Sequence, residues 1–425
     1  MTTLKWTRRA AALGTLAVAI GLSAPVLAQD QVTLNWALWD WTATPYYQPL
    51  IDAYEAAHPN VKIEYTDLGS TDYDTVLQTQ LTGGSSDLDV ITIKDIPGYA
   101  NLISANLLSP LDDYIKAQNI DPKLYGGVLD ALTVDGKVYS LPFRSDFWLL
   151  YYNKDLFDKA GVPYPTNDMT LDQFADMAEK VTSGFGADKV YGTHFHVWRS
   201  AVELPGIFDG KHTVVDGTYD FLKPYYQRVL KLQDDGAVMS YSQLKTSNTH
   251  YSGPFYNAQI ASMPMGSWFI ATQIAKVKSG ESKAVHWGLA KYPHPDGVEP
   301  GTTASTITGL SVAANSKKQE AALDFVKFVS GPDGAAVIAK TGTFPAITTD
   351  DVLKTITSTP GFPEDQASHD ALVTAKRYLE IPVSPIAPQI DLALSRAHDA
   401  IMTGSVSIDD GIAQMNADVA AIPKK

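Results

Sequence analysis

The 425-residue chain contains no cysteine. Disulfides, thiolate nucleophiles and cysteine-ligated metal centres are therefore excluded, and so is a lipid anchor on an N-terminal cysteine. The chain also lacks the short motifs of common catalytic and nucleotide-binding sites, since it has no G-x-S-x-G, H-E-x-x-H or P-loop and no G-x-G-x-x-G after a strand. Because no disulfide is available, the fold must be stabilised by a large core.

Charge is also scarce. Only 19% of the residues are charged, and the formal net charge is −14. Neither nucleic acid nor an anionic membrane surface attracts such a chain, so neither is expected as a partner. The length and the 45% hydrophobic content are typical of a globular protein with two domains.

The N-terminus is predicted to be an export signal. Lys5, Arg8 and Arg9 precede an apolar run at 10–22, and a small-residue cleavage site ends at Ala28. We therefore expect a signal peptide of residues 1–28 and a mature protein in the bacterial periplasm, with no membrane insertion. The adjacent arginines leave both the general and the twin-arginine export routes open.

The first part of the mature chain alternates between strands and helices. Strands are predicted at 32–37, 61–65 and 88–93, with helices between them that end at His58-Pro59 and at Gly83-Gly84. This β-α-β-α-β pattern indicates a parallel sheet covered by helices. Ligands bind beyond the carboxyl ends of such strands, where Asp40, Trp41 and Asp95 lie.

The segment 139–157 is almost unbroken in strand-forming apolar residues, which predicts a strand buried on both faces. It nevertheless carries Arg144 and Asp146, which a dry core does not accommodate unpaired. We interpret the segment as a strand that crosses from one domain to the next, with polar groups facing a cleft. The alternative is a surface Arg–Asp pair on an ordinary strand.

Aromatic residues are abundant, with 8 tryptophans and 21 tyrosines. Indole rings stack on the apolar faces of sugars, while carboxylates, guanidinium groups and amides bind the hydroxyls. Trp41 and Trp268 lie on predicted turns and are the stacking candidates, whereas core packing is the alternative for the other tryptophans. Asp40, Asp95 and Asp146 could also supply the carboxylate pair of a glycosidase, so an enzyme is not excluded by this pattern.

His194 and His196 form the only close histidine pair. Alternate residues of a strand share one face, so both could bind a metal ion, but no third ligand is indicated nearby. The alternatives are cleft polarity and ordinary surface histidines. We predict neither a metal ion nor a cofactor.

Six stretches, in their order and spacing, resemble the extracellular solute-binding proteins of ATP-binding cassette (ABC) sugar importers, the group that includes maltose-binding protein. The resemblance extends over essentially the whole mature chain. The stretches are 50–61, 84–91, 98–108, 151–157, 265–268 and 321–330.

The resemblance implies an α/β protein with the two-lobed, type II-like periplasmic binding protein fold. Each lobe is expected to be a mostly parallel sheet flanked by helices, and crossing hinge segments join the lobes. The expected first lobe comprises 29–142 and 287–342, with 287–292 as a strand returning to it. The expected second lobe comprises 143–286 and 343–425.

The resemblance also implies a binding site between the lobes. The segment 194–199 matches no pattern of the family, and this is the segment that usually sets sugar specificity. Lys94 replaces an aromatic residue found in some relatives. Arg144 either contacts the ligand, pairs with Asp146 or braces the hinge. The expected ligand-binding residues are Asp40, Trp41, Asp95, Arg144, Asp146, His194, Trp198, Trp268, Gly309 and Arg377.

The function implied is that of a monomeric substrate-binding component, which closes on a disaccharide, oligosaccharide or polyol and delivers it to an ABC permease. Arg144 and Arg377 leave an acidic or sulfonated sugar open. Two alternatives remain at this point: a secreted glycosidase or lyase that uses Asp95 and Asp146, and a relative that binds peptides or polyamines.

Overall fold

The computed structural model describes residues 31–83, 87–125 and 128–423. The predicted signal peptide lies outside these residues. In the described ranges, every helix is too short or too polar to cross a bilayer.

The elements are numbered in chain order. The strands are β1 (Val32–Leu38), β2 (Val61–Asp67), β3 (Val90–Ile93), β4 (Thr133–Val134), β5 (Lys137–Val138), β6 (Leu141–Asn153), β7 (Ser262–Gly266), β8 (Trp287–Lys291), β9 (Thr302–Val312) and β10 (Lys376–Leu379). The helices are α1 (Tyr47–Ala57), α2 (Tyr73–Thr82), α3 (Ile96–Ser104), α4 (Asp112–Ala117), α5 (Val128–Ala131), α6 (Lys154–Ala160), α7 (Leu171–Val181), α8 (Ser200–Glu203), α9 (Lys223–Asp234), α10 (Tyr241–Thr246), α11 (Ser252–Tyr256), α12 (Phe269–Lys278), α13 (Gln319–Ser330), α14 (Pro332–Ala339), α15 (Asp350–Thr357), α16 (Gln366–Ala371), α17 (Ala387–Met402) and α18 (Ile408–Ala420).

The first part of the chain has the predicted β-α-β-α-β pattern. Strand β1 pairs in parallel with β2 on one side and with β3 on the other. Helix α2 ends at Gly83, as the glycine pair predicts. Helix α1 begins at Tyr47, after a 3₁₀ turn at Trp41–Ala43.

One path through the main sheet runs β2-β1-β3-β9-β6-β7, with β10 paired to β9 and β8 paired to β6. All 13 residues of β6 are buried, which confirms the prediction of a strand covered on both faces. Leu141 and Phe143 belong to the core that surrounds β1 and α1. Phe147 and Tyr151 belong to a second core that includes α12 and α17. The strand therefore passes from one hydrophobic core into the other.

Two predictions about the second lobe are wrong. Its sheet is not mostly parallel, because β7 and β8 both pair antiparallel with β6. Strand β6 runs from the boundary into the second lobe, whereas β7 and β8 bring the chain back toward the boundary. They therefore run opposite to β6. In addition, β8 does not return to the first lobe, since Trp287 and Leu289 pack in the second core. Strand β9 makes the return instead, with Ala304 in the second core and Leu310 in the first.

Candidate functional site

Three tryptophan rings meet where β6 enters the second core. The rings of Trp148 and Trp268 have centroids 5.7 Å apart at 81°, and those of Trp198 and Trp268 have centroids 6.3 Å apart at 65°. Tyr251 and His196 adjoin Trp198 at 5.6 and 4.5 Å. Trp198 is 39% exposed and Trp268 is partly exposed, so the cluster presents aromatic surface to solvent. These five residues are called the aromatic cluster below.

The position of Trp268 depends on the glycine that ends β7. A Cβ on Gly266 would lie 2.0 Å from the Trp268 ring, so only glycine lets the indole fold over the end of the strand. Gly266 is also held in register, because it pairs with Trp148 of β6. The Met-Gly-Ser-Trp turn therefore builds a defined ring position on a rigid sheet.

The loop after β1 brings a carboxylate opposite this cluster. Asp40 has a left-handed backbone (φ 49°), and the charge of its carboxylate acts on His250 and Tyr251. Loss of hydration lowers the pKa of His250, and Asp40 opposes that shift. Trp41 stacks on Tyr65 with centroids 3.7 Å apart, so its ring contacts differ from those of Trp268.

Asp95 is the N-cap of α3, and its carboxylate accepts a hydrogen bond of 2.8 Å from the Gly98 amide. Burial raises the pKa of Asp95. Asp74 lies on the other side of Gly98, and burial together with the Asp95 charge raises its pKa to about 7. Lys94, the residue that departs from the family pattern, donates a hydrogen bond to the Ser70 carbonyl. Its positive charge opposes the rise in the pKa of Asp74 and in that of Asp95.

A group of charged side chains that sequence reasoning missed completes this boundary. Glu380 follows β10 and accepts a hydrogen bond from the indole N–H of Trp148. Arg199 donates to Asp391 at 2.6 Å and to Glu203 at 2.8 Å. Helix α17, which carries Asp391, packs against α3 of the first lobe. The network therefore connects the segment of Trp198 with the lobe boundary.

Glu380 gives a pH-dependent prediction. Burial raises its pKa to about 7, so the carboxyl stays protonated in the folded protein while the unfolded chain ionises above about pH 4.5. The free energy of unfolding of the wild-type protein consequently decreases as the pH rises from about 4.5 to about 7. Glu380→Gln removes the ionisation and keeps the oxygen that binds Trp148. Its free energy of unfolding should match wild type near pH 4 and exceed it by about 1–3 kcal/mol at pH 8.

Calorimetric melting of both proteins across this pH range measures that difference. The buried histidines are present in both proteins, so their titration cancels. Glu299→Gln, at an exposed carboxyl that pairs with Lys376, is the control and should show no trend with pH. If the free energies of unfolding of wild type and Glu380→Gln differed by the same amount at every pH, the raised pKa of Glu380 would be contradicted.

Arg144 and Asp146 lie where β6 crosses between the cores. They form an ion pair, Asp146 is 0% exposed, and Asp146 accepts a further hydrogen bond of 2.7 Å from Ser267. Arg144 donates to the Tyr46 hydroxyl of the first lobe. The ion pair thus links Tyr46 of the first lobe with the turn that carries Trp268. Of the three roles considered for Arg144, these contacts correspond to pairing with Asp146 and bracing the hinge.

Three further predicted site residues, Arg377, Gly309 and His194, lie outside the aromatic cluster as it is defined above. Arg377 lies over the Phe147 ring at 4.0 Å, and burial lowers its pKa to about 10 while Asp146 opposes that shift. Gly309 is buried between β3 and β6, and a Cβ there would lie 2.1 Å from the Ser140 hydroxyl. His194 is fully buried rather than at the surface. His194 lies behind the aromatic cluster, with its ring centroid 6.0 Å from that of His196, whereas Gly309 lies in the sheet between β3 and β6.

The sequence contains a signal for some of the missed residues. Glu380 directly follows β10, at the position where ligand-facing side chains were sought for β1 and β3. His196 shares the segment of His194, but only the fold shows which of the two reaches the cluster. Asp74 is an ordinary helix residue in the sequence, and nothing marks it.

The comparisons with known proteins agree with this architecture. The family model described as bacterial extracellular solute-binding protein matches residues 39–336. The crystal structure of a sugar transporter from Rhizobium etli in an open conformation is 62% identical, with a TM-score of 0.79, and covers 92% of this chain and 100% of that chain. An ABC substrate-binding protein from Listeria monocytogenes in complex with cycloalternan is 21% identical with a TM-score of 0.78, covering 92% and 98%. The sn-glycerol-3-phosphate-binding periplasmic protein of Pectobacterium atrosepticum is 24% identical over 390 residues, 84% of this chain and 83% of that one.

Two α/β lobes, joined by crossing strands around an aromatic and acidic boundary, define a two-lobed ligand-binding protein. The family match covers more than half of the chain, so the chain belongs to the bacterial extracellular solute-binding protein family. Proteins of this family bind small ligands for ABC permeases and are not enzymes. The glycosidase or lyase alternative is therefore set aside. Asp146, one of its two supposed catalytic carboxylates, is enclosed in an ion pair.

Proposed function

We propose that this protein binds a sugar or polyol between its lobes and delivers it to a membrane permease. The observation that carries the proposal is the aromatic cluster, in which the partly exposed rings of Trp198 and Trp268 pack against Trp148, whose indole N–H binds Glu380. Indole faces suit the apolar C–H faces of a sugar, and carboxylates suit its hydroxyls. The Rhizobium etli and Listeria monocytogenes proteins, described as a sugar transporter and as a cycloalternan complex, support the same class of ligand.

The proposed site contains Asp40, Trp41, Asp95, Trp198, Trp268 and Arg377, together with His196, Tyr251 and Glu380. Arg144 and Asp146 support it from the hinge. We place the first lobe at 29–142 and about 305–342, and the second at 143 to about 304 and 343–425, because the core changes between Ala304 and Ile307 in β9. Ligand that contacts both lobes shifts the population toward the closed state, which the permease then recognises.

We also propose that the mature protein starts near Gln29 after export and acts in the periplasm as a monomer. The full chain has a net charge of −14 with the basic signal peptide included, and such a charge gives no attraction to nucleic acid or to an anionic membrane surface. The extracellular assignment of the family supports the export step.

A thermal-shift screen of the mature protein over sugars and polyols tests the proposal. A ligand at 100 times its dissociation constant should raise the free energy of unfolding by about 2.7 kcal/mol. Prolonged incubation should return that ligand chemically intact, since no catalysis is expected. Shifts with peptides or polyamines, and with no carbohydrate, would refute the proposal.

A further inference from the structure

His196 occupies a particular place in the aromatic cluster. Its ring stands perpendicular to that of Trp198, with centroids 4.5 Å apart, and lies 5.7 Å from that of Tyr251. The residue is 8% exposed, so it borders the same surface as the two tryptophans that face solvent. His194, two residues earlier, is completely enclosed. Of this histidine pair, His196 is therefore the one that can reach a bound molecule.

The two ring nitrogens of His196 have different surroundings. Nδ1 is enclosed and has no hydrogen-bond partner among the described residues, whereas Nε2 is not among the enclosed atoms that lack a partner. A buried N–H without an acceptor is costly, so the hydrogen belongs on the nitrogen that can find a partner. The favoured tautomer carries Nε2–H, a donor directed at the exposed edge of the cluster.

The surroundings also decide the charge of this donor. His194, His250 and Tyr251 are titratable neighbours of His196, and the charge of Asp40, from the first lobe, acts on His250. Burial, with smaller effects of the other two histidines, lowers the pKa of His196 to about 3. The ring is consequently uncharged at physiological pH and attracts no anion.

Two of the guanidinium groups near the boundary form ion pairs with acids. Arg144 pairs with Asp146, and Arg199 pairs with Glu203 and Asp391. Arg377 lies in the field of Asp146. Asp40 adds negative charge beside His250 and Tyr251, which makes the boundary unfavourable for a carboxylated, phosphorylated or sulfonated ligand.

We infer that His196 is a specificity-determining residue that donates Nε2–H to a hydroxyl or ring oxygen of an uncharged sugar or polyol, and that charged sugars are rejected. The inference rests on the proposed function and narrows its ligand class. It closes the option of an acidic or sulfonated sugar that the sequence left open.

The test uses two substitutions at one position. His196→Gln keeps an N–H donor near the place of Nε2, and His196→Phe keeps the ring shape without a donor. Titration calorimetry with the tightest neutral carbohydrate of a panel containing lactose, mannobiose, cycloalternan and D-mannitol should show a loss of about tenfold or more for His196→Phe. His196→Gln should stay within about threefold of wild type. His286→Phe, at an exposed histidine paired with Asp155, is the matched control and should bind normally.

Three charged probes are titrated alongside the neutral carbohydrates: glucuronate, galacturonate and glycerol 3-phosphate. Thermal melting without ligand checks that each variant is folded. The ratio of wild-type to His196→Phe affinity should be equal near pH 5 and pH 8. Equal affinity for wild type and both variants, or equal losses in both variants, would overturn the inference. Tight binding of a charged probe that strengthens toward pH 5 would also overturn it, while sugar binding itself would stand. Binding of no carbohydrate at all would refute the proposed function as well.

Discussion

Replacing Trp268 with alanine is expected to weaken sugar binding by roughly thirtyfold or more, which corresponds to about 2 kcal/mol. The indole lies at the end of β7 and meets both Trp148 and Trp198 edge-on. Its removal takes away stacking area and releases the two neighbouring rings from their positions. The effect should appear mainly in the dissociation rate, because the approach of a neutral ligand is not steered by charge.

A second variant separates the position of the ring from its presence. Gly266→Ala places a methyl group where the Trp268 ring now lies, so it should displace the indole and cause a comparable loss of affinity. Phe185→Ala is the matched control, because Phe185 is 89% exposed and is not part of the aromatic cluster. Calorimetric titration and the near-ultraviolet circular dichroism of each variant are the measurements. Unchanged affinity in Trp268→Ala with an intact fold would remove this residue from the site.

Replacing Asp146 with alanine is expected to lower the free energy of unfolding by about 3–5 kcal/mol, because it leaves Arg144 charged and unpaired in the interior. Arg144 is 7% exposed, so water cannot replace the lost partner. The Ser267 hydroxyl loses its acceptor at the same time, which loosens the turn before Trp268. Ligand affinity should therefore fall together with stability.

Two further proteins show whether the cost comes from the unpaired charge. The double variant Arg144→Met with Asp146→Leu removes both charges and should recover a large part of the lost stability. Glu179→Ala, which breaks an exposed pair with Lys231, should change stability by less than about 1 kcal/mol. Chemical denaturation followed at several wavelengths provides the comparison. A double variant no more stable than Asp146→Ala would show that the cost lies in packing and not in charge.

The candidate site illustrates how far residue patterns reach. The apolar run at 139–157 was sufficient to predict a crossing strand, because burial on both faces is a local consequence of residue type. Its two charges were expected to face a cleft, whereas Asp146 is 0% exposed and forms an ion pair with Arg144. The Gly-x-Trp turn was likewise recognisable. The contact between Trp148 and Glu380 was not, since the two residues are 232 positions apart and only the fold brings them together.

The sequence by itself determined the elements whose cause is local. These are the β-α-β-α-β start, the fully buried strand β6 and the aromatic content that suits a sugar. Tertiary structure alone decided the direction of β7 and β8, the crossing of β9, and the choice of His196 over His194 as the residue near the surface. Each of these depends on which surfaces remain uncovered after distant segments have packed, and that information is spread over the whole chain.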